Sequence, residues 1–255
     1  MNVALLAARR VGFDIAAFLG RLDERPACLV LDAADQDTMN GKIIEALGVS
    51  ASDTHVIDKN EIDRLGAILS SYQVDLGICV WWPYLLPTDV IGAARLGFLN
   101  LHPSFLPYNR GKNPNFWSIV EGTPAGVTIH WLDGGVDSGD IAFQSGLETT
   151  WEDTGHSLYE KAQKAIVELF VKHWREIGAG TAPRAAQADG NATVHRASEM
   201  DAASRIELSQ SYRARDLLNL MRARTFSPYP AVRFQDGDRE FEVRVEIKER
   251  PREQR

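Results

Sequence analysis

Two patterns of apolar and polar residues alternate along the N-terminal part of the chain. Short runs rich in aliphatic side chains occur at 2–7, 26–31, 55–57 and 76–82. Such runs are typical of buried parallel strands. Between them apolar residues recur at helical spacing, beginning with Val11, Ile15 and Leu19. Strands that alternate with helices predict an α/β fold, with a Rossmann-like and mostly parallel sheet.

The remaining pattern divides the chain at about residue 180. A strand is predicted at 140–147 and a long helix at 154–177, after which residues 178–193 lose periodicity and gain Ala, Gly and Pro. Beyond that stretch, 212–224 carries one helical stripe, and two alternating runs, at 231–235 and 239–247, flank Asp236-Gly237, which is a hairpin signal. We therefore predict a catalytic domain over 1–180 and a small C-terminal helix-plus-β-hairpin appendage over 181–255.

Composition narrows the class of protein. The chain has 255 residues, of which 44% are apolar, and its net charge is −7. An acidic balance argues against nucleic acid as a partner, and the longest apolar runs are too short to span a membrane. Cys28 and Cys79 both lie in apolar, strand-like runs without metal-ligand spacing, so we interpret them as buried free thiols. These features predict a cytoplasmic globular protein that binds no metal and no membrane.

The candidate chemistry is concentrated in residues 98–140. Asn100 and His102 end an apolar strand, and their spacing of two residues puts both side chains on one face. Proline and glycine at 103, 107, 111 and 114 then predict a long irregular loop. A second strand is followed by a glycine-rich turn that carries Asp133 and Asp137. An amide, an imidazole and a carboxylate at strand ends predict a cluster for oxyanion stabilisation and proton transfer.

Three linked motifs in this segment, taken in order, resemble those of a known enzyme family. They are Asn100-Leu101-His102-Pro103-Ser104-Phe105-Leu106-Pro107, then Arg110-Gly111, then Asp137-Ser138-Gly139. In this order they resemble the folate-dependent formyltransferase family. The resemblance implies a formyltransferase fold, 10-formyltetrahydrofolate as co-substrate and no metal. It also implies that Asn100 and His102 face the developing oxyanion while Asp137 assists loss of the amine proton.

The resemblance also implies where folate binds. The apolar strand 76–82 ends in a loop bracketed by Pro83 and Pro87, at the strand end where open α/β sheets bind ligands. No glycine-rich dinucleotide turn follows the first strand, where Ala7-Ala8-Arg9-Arg10 stands instead. The residues predicted to bind the pterin are Trp82, Tyr84, Leu85, Leu86, Asp133 and Asp137.

Within the family, the sequence looks most like the nucleotide-sugar N-formyltransferases, which formylate amino sugars for surface polysaccharides such as the lipopolysaccharide O-antigen. Basic and aromatic residues are candidates for the diphosphate and the base. The residues predicted to bind this substrate are Ser104, Tyr108, Asn109, Arg110, Gly111, Lys112, Arg222, Arg224 and Tyr229. The appendage is predicted to hold the nucleotide or the second subunit of a homodimer.

Two alternatives stay open. The first alternative to a nucleotide-sugar enzyme is a formyltransferase for another small amine, such as an amino acid or a siderophore precursor. The second is a non-catalytic module that binds folate or a nucleotide. The intact set of Asn100, His102 and Asp137 argues against the second alternative. His130 lies in the middle of a strand and is interpreted as structural, as are the remaining histidines.

Overall fold

A computed structural model describes residues 1–35 and 39–250 as twelve strands and eight α-helices, with short 3-10 turns between them. The strands are β1 (Val3–Ala7), β2 (Cys28–Asp32), β3 (Thr54–Ile57), β4 (Leu76–Val80), β5 (Phe98–His102), β6 (Arg110–Gly111), β7 (Gly126–Trp131), β8 (Ile141–Gly146), β9 (Val194–His195), β10 (Arg205–Ile206), β11 (Val232–Asp236) and β12 (Arg239–Val243). The helices are α1 (Arg9–Arg21), α2 (Gly41–Leu47), α3 (Leu65–Ser71), α4 (Thr88–Gly92), α5 (Pro114–Glu121), α6 (Gly155–Gly178), α7 (Ala197–Ala203) and α8 (Ala214–Arg224).

The central element is a seven-stranded sheet in the order β3-β2-β1-β4-β5-β7-β8. Strands β1 to β5 pair in parallel, and β7 runs antiparallel to β5. The five residues of β2 and of β4 are all buried, as expected for strands covered on both faces. The predicted α/β class, with a mostly parallel sheet, is therefore confirmed. Cys28 and Cys79 are buried free thiols, and burial raises the pKa of both.

The chain forms two compact units, each built from three segments. The first comprises Met1–His102, Thr128–Ser145 and Ala165–Gln187, and it contains strands β1 to β5. The second comprises Pro103–Val127, Gly146–Lys164 and Ala188–Arg255, and it contains α5, α7, α8 and β9 to β12. The boundary predicted at residue 180 follows the sequence pattern and stays a prediction.

Two local expectations differ from the structure. The irregular loop predicted after His102 ends at Asn113, because Pro114 begins helix α5 and this helix buries Phe116 and Trp117. The second strand of the C-terminal hairpin was expected over 239–247 but ends at Val243. There the Val245 amide donates to Thr225 Oγ1 at 3.4 Å, a contact away from the hairpin partner strand.

The close approach of α1 to α2 gives a stability prediction. A Cβ atom at Gly20 in α1 would lie 1.9 Å from the carbonyl oxygen of Ala46 in α2, whereas one at Gly41 would meet nothing within 4 Å. We expect Gly20→Ala to lower the free energy of unfolding by roughly 1–3 kcal/mol, because backbone must move to admit the methyl group. Gly41→Ala is the matched control, and urea titration of both variants is the measurement. Equal effects from the two changes contradict the prediction.

Candidate active site

Two of the predicted catalytic side chains lie on β5. This strand lies between β4 and β7, and its register sets Asn100 opposite His130 and His102 opposite Thr128. The alternation of side chains along a strand puts Asn100 and His102 on the same face, as the sequence predicts. His102 is buried and Asn100 is partly exposed.

Asp137 completes the cluster from the loop 132–140, which joins β7 to β8 and is called here the Asp137 loop. One carboxylate oxygen, Oδ2, lies 3.6 Å from His102 Nδ1, and the other, Oδ1, accepts a hydrogen bond from Asn100 Nδ2 at 3.4 Å. A carboxylate only accepts, so the NH2 group of Asn100 is the part that faces it. The structure therefore brings the three predicted catalytic side chains together within the first unit.

His130 is a fourth member of this cluster, which the sequence analysis interpreted as merely structural. Its ring is fully buried, and Nδ1 lies 2.9 Å from the carbonyl oxygen of Trp131. Since a carbonyl cannot donate, Nδ1 carries a proton. The other nitrogen, Nε2, lies 3.2 Å from Asn100 Nδ2 and 3.4 Å from Asp137 Oδ1. In its neutral form His130 thus accepts from Asn100 and fixes the orientation of that amide.

We expect His130→Phe to lower kcat by roughly 10- to 100-fold while the protein stays folded. The ring volume is kept, but Asn100 loses one of its two hydrogen-bond acceptors, so its amide is held from one side only. Steady-state kinetics with the folate co-substrate and an accepted amine measure the effect. His55→Phe is the matched control, because His55 bonds Tyr72 Oη at 3.0 Å and has no part in the cluster. Wild-type kcat in His130→Phe contradicts the role.

The loop predicted to bind folate begins at Trp82, which is buried. Its Nε1 is inaccessible to solvent and has no hydrogen-bond partner among the described residues. Tyr84 donates to Asp32 Oδ1 at 2.7 Å, and this hydrogen bond, together with burial, raises the pKa of Tyr84 to about 12. Leu85 is 75% exposed, and Leu86 packs partly against the core.

Asp133, also predicted to bind folate, uses its carboxylate inside the Asp137 loop. Its Oδ1 accepts from the Gly135 amide at 2.8 Å and from Ser138 Oγ at 2.9 Å. These bonds shape the turn that carries Asp137. Contact between Asp133 and folate stays a prediction.

The predicted substrate residues between 104 and 112 lie in the second unit, where hydrogen bonds between side chains and backbone join them to their neighbours. Ser104 Oγ donates to the Tyr108 carbonyl, and the Asn109 amide donates to Thr193 Oγ1 at 2.8 Å. Arg110 and Gly111 form β6, which pairs in parallel with β9. Arg110 and Asn109 are buried, whereas Lys112 is exposed.

The predicted substrate residues of the appendage have partners within the second unit. Arg222 Nη1 donates to the carbonyl oxygens of Thr150 and Asp153, both at 2.9 Å, and Arg224 Nη2 lies 2.7 Å from Asp201 Oδ1. Burial lowers the pKa of both guanidinium groups, against the attraction of nearby carboxylates. Tyr229 is exposed. Substrate contact by all three stays a prediction.

Within residues 1–35 and 39–250, no group of three or more His, Cys, Asp or Glu side chains is arranged to hold a metal ion. In the same part of the chain, no helix is long and apolar enough to cross a membrane.

Comparison with known proteins places these residues in a family. Residues 31–173 match the family model described as formyl transferase, and residues 199–249 match the model described as the N-formyltransferase dimerization C-terminal domain. The methionyl-tRNA formyltransferase of Lachnospira eligens is 28% identical over 193 residues, which is 74% of this chain and 58% of that protein. A dTDP-4-amino-4,6-dideoxyglucose formyltransferase of Mycobacterium bovis is 28% identical over 222 residues, 86% of this chain and 89% of that protein.

Solved structures are similar over most of the chain. A 4-N formyltransferase from Francisella tularensis covers 97% of this chain and 98% of its own, with a TM-score of 0.81 and 24% identity. A formyltransferase from Anoxybacillus kamchatkensis, solved with UDP-4,6-dideoxy-4-formamido-L-AltNAc and tetrahydrofolate, is 26% identical over 79% of this chain and 89% of its own, with a TM-score of 0.58. The chain spans at most 58% of the length of the first four curated relatives that it matches.

Proposed function

This chain belongs to the formyl transferase family, and we propose that it transfers a formyl group from 10-formyltetrahydrofolate to the amino group of a nucleotide-linked amino sugar. The observation that carries the proposal is the convergence of Asn100, His102 and Asp137 at distances of 3.4 and 3.6 Å. Formyl transfer to an amine needs hydrogen-bond donors for a carbonyl oxygen and an acceptor for the amine proton. This cluster contains both.

The loop that follows β4 fits a planar, hydrogen-bonding heterocycle. The exposed side chain of Leu85 offers an apolar surface to a flat ring, and the loop, bracketed by Pro83 and Pro87, presents backbone polar groups without charged side chains. We assign Trp82, Tyr84, Leu85, Leu86, Asp133 and Asp137 to the folate site.

The chain's own groups divide the chemistry between them. When bound, 10-formyltetrahydrofolate supplies the formyl group. Asp137 accepts the proton that the sugar amine loses as its nitrogen bonds to the formyl carbon. The bond between the formyl carbon and N10 of tetrahydrofolate then breaks, and N10 takes up a proton, so that the formamide and tetrahydrofolate are released. Asn100 and His102 donate hydrogen bonds to the oxygen that gains negative charge, and His130 keeps the Asn100 amide oriented. Preorganised donors of this kind contribute about 2.7–4 kcal/mol each to lowering the barrier.

We assign the nucleotide sugar to Ser104, Tyr108, Asn109, Arg110, Gly111, Lys112, Arg222, Arg224 and Tyr229. The Mycobacterium bovis relative acts on a dTDP-amino sugar by its name, and the Anoxybacillus structure holds a UDP-formamido sugar, which supports this substrate class. In this proposal residues 1–180 carry catalysis, and the appendage 181–255 serves a homodimer, in keeping with the matched dimerization model. The enzyme then works in the cytoplasm and supplies surface polysaccharides such as the O-antigen.

A substrate panel tests the function. The purified chain is incubated with 10-formyltetrahydrofolate and, separately, with dTDP-, UDP- and GDP-linked amino sugars, amino acids and hydroxamate-precursor amines. Mass spectrometry detects the formamide, and absorbance follows release of tetrahydrofolate. We expect turnover with one class of nucleotide sugar only. Turnover with a free amino acid alone favours the alternative acceptor, and no formamide from any amine overturns the proposal.

The exposure of Leu85 gives a prediction about folate affinity. Because its side chain is 75% exposed, Leu85→Ala removes little internal packing. We expect that change to weaken binding of tetrahydrofolate only modestly. Leu85→Pro removes the backbone amide as well, and we expect a loss of roughly 10- to 100-fold, in line with about 1–3 kcal/mol for an unpaired polar group. Calorimetric titration measures both; equal losses imply that side-chain packing, not the backbone, binds the pterin.

A further inference from the structure

The segment 183–187, called here the strap, follows α6 and is bonded to the β7–β8 region at several points. The backbone of Ala185 exchanges two hydrogen bonds with Ile141, at 2.8 and 3.0 Å. Trp131 Nε1 donates to the Pro183 carbonyl at 2.8 Å. Arg184 lies over the Trp131 ring at 3.6 Å and donates to the Leu96 carbonyl at 2.7 Å. All these residues belong to the first unit, so the strap is anchored there.

The strap ends at Gln187, whose side chain contacts the Asp137 loop. Its Nε2 donates to the carbonyl oxygens of Asp137 at 2.8 Å and of Gly139 at 2.7 Å. Both carbonyls only accept, so the NH2 group of Gln187 must face them, and its two hydrogens are both used. One amide group thus spans the backbone on both sides of Ser138.

The backbone that Gln187 holds has an uncommon conformation. Asp137 has φ +48°, in the left-handed region that few residues other than glycine adopt, aspartate being among the types that adopt it most readily. Such a conformation persists where the surroundings fix it, and these sites are often functional. At Asp137 the conformation sets the direction of the carboxylate whose oxygens lie 3.4 Å from Asn100 Nδ2 and 3.6 Å from His102 Nδ1.

We infer that Gln187 is a positioning residue, which holds the Asp137 loop in the conformation that aims the Asp137 carboxylate at Asn100 and His102. The inference rests on the proposed function for its catalytic consequence, but its structural content is independent of it. The competing explanation is that Gln187 only attaches the strap. Replacement of Arg184 distinguishes these two explanations. Arg184 attaches the same strap through the Leu96 carbonyl and the Trp131 ring, without a hydrogen bond to the Asp137 loop.

The experiment compares Gln187→Met and Gln187→Glu with Arg184→Met in the full chain. Met keeps the length of the side chain but has no donor, and Glu turns carboxylate oxygens toward two carbonyl oxygens. We measure the hydrogen exchange of the peptide that covers 132–140, the melting temperature, and kcat and KM with the accepted substrates. We expect faster exchange in both Gln187 variants and a fall in kcat of roughly 10- to 100-fold with KM little changed. Arg184→Met lowers the melting temperature without either effect.

The outcomes separate this inference from the proposed function. Unchanged exchange of 132–140 in Gln187→Met overturns the inference, whatever the turnover of the wild type. Equal losses of kcat in Gln187→Met and Arg184→Met also overturn it, because attachment of the strap then explains both. A wild-type protein that forms no formamide overturns the proposed function, while the exchange comparison still decides whether Gln187 holds the loop.

Discussion

Asp137→Asn is expected to lower kcat by roughly 10²- to 10⁴-fold, the range for loss of a general base. The carboxylate lies 3.6 Å from His102 Nδ1 and 3.4 Å from both Asn100 Nδ2 and His130 Nε2, so it is placed to accept a proton within the cluster. Replacement by an amide of the same shape removes the acceptor for the amine proton and leaves the packing unchanged. Single-turnover kinetics with a saturating amino sugar isolate the chemical step from product release.

A matched control exists in the same unit. Asp75 accepts hydrogen bonds from the Asn2 amide at 2.9 Å and from Arg95 Nε at 2.7 Å, and these bonds lower its pKa. Asp75→Asn also removes a negative charge, but the residue precedes β4 and has no contact with the cluster. We expect its kcat to match the wild type. If Asp137→Asn retains more than about a tenth of wild-type turnover, the assignment of Asp137 as the base is wrong.

The order of strands and helices was predictable because the first unit has regular patterns. Runs such as 76–82 are apolar without interruption, since β4 is buried on both faces. Such a run can be recognised in the sequence before the fold is known. Helix α5 was harder to predict. Its start follows a stretch rich in Pro and Asn, and only its burial of Phe116 and Trp117 shows that it is a packed element.

The cluster was predictable to the extent that its residues are near in sequence or share a motif. Asn100 and His102 follow from strand alternation. His130 does not, because its role depends on the antiparallel register that sets it opposite Asn100. Gln187 lies about fifty positions after Asp137, in a stretch that reads as a linker. Gln187 reaches the Asp137 loop only because the chain returns to β8 and Ala185 pairs with Ile141. No local sequence pattern predicts that pairing.

Arg222 and Arg224 show a different limit of sequence reasoning. Both end an amphipathic helix, where cations are favoured by the helix dipole whether or not they bind a ligand. In the structure Arg222 bonds the carbonyls of Thr150 and Asp153, and Arg224 pairs with Asp201. Charge and position in the sequence cannot separate a diphosphate site from such internal bonds. A structure with bound nucleotide sugar can make this distinction, and so can a measurement of nucleotide-sugar affinity in Arg222→Gln.

Asn100→Ala is expected to lower kcat by roughly 10²- to 10³-fold, the effect of one donor to a developing oxyanion. The Asn100 amide is oriented from two sides, by His130 Nε2 at 3.2 Å and Asp137 Oδ1 at 3.4 Å. The shorter contact, with His130, holds the amide in place, and the longer hydrogen bond to Asp137 is the one that Asn100 exchanges for the formyl oxygen as that oxygen gains charge. Since the donor acts mainly in the transition state, KM for both substrates should change much less than kcat.

Two further variants separate electrostatics from packing at this position. Asn100→Asp keeps the shape but places a second carboxylate beside Asp137, so we expect a loss of turnover at least as large as that of Asn100→Ala. Asn2→Ala is the control for loss of an asparagine amide. Asn2 Nδ2 donates to the carbonyl oxygens of Tyr72 at 3.0 Å and Gln73 at 3.3 Å, and Asn2 is not a member of the catalytic cluster. If Asn100→Ala and Asn2→Ala have the same kcat, Asn100 has no role in stabilising the oxyanion. A rise in KM with unchanged kcat instead assigns Asn100 to substrate binding.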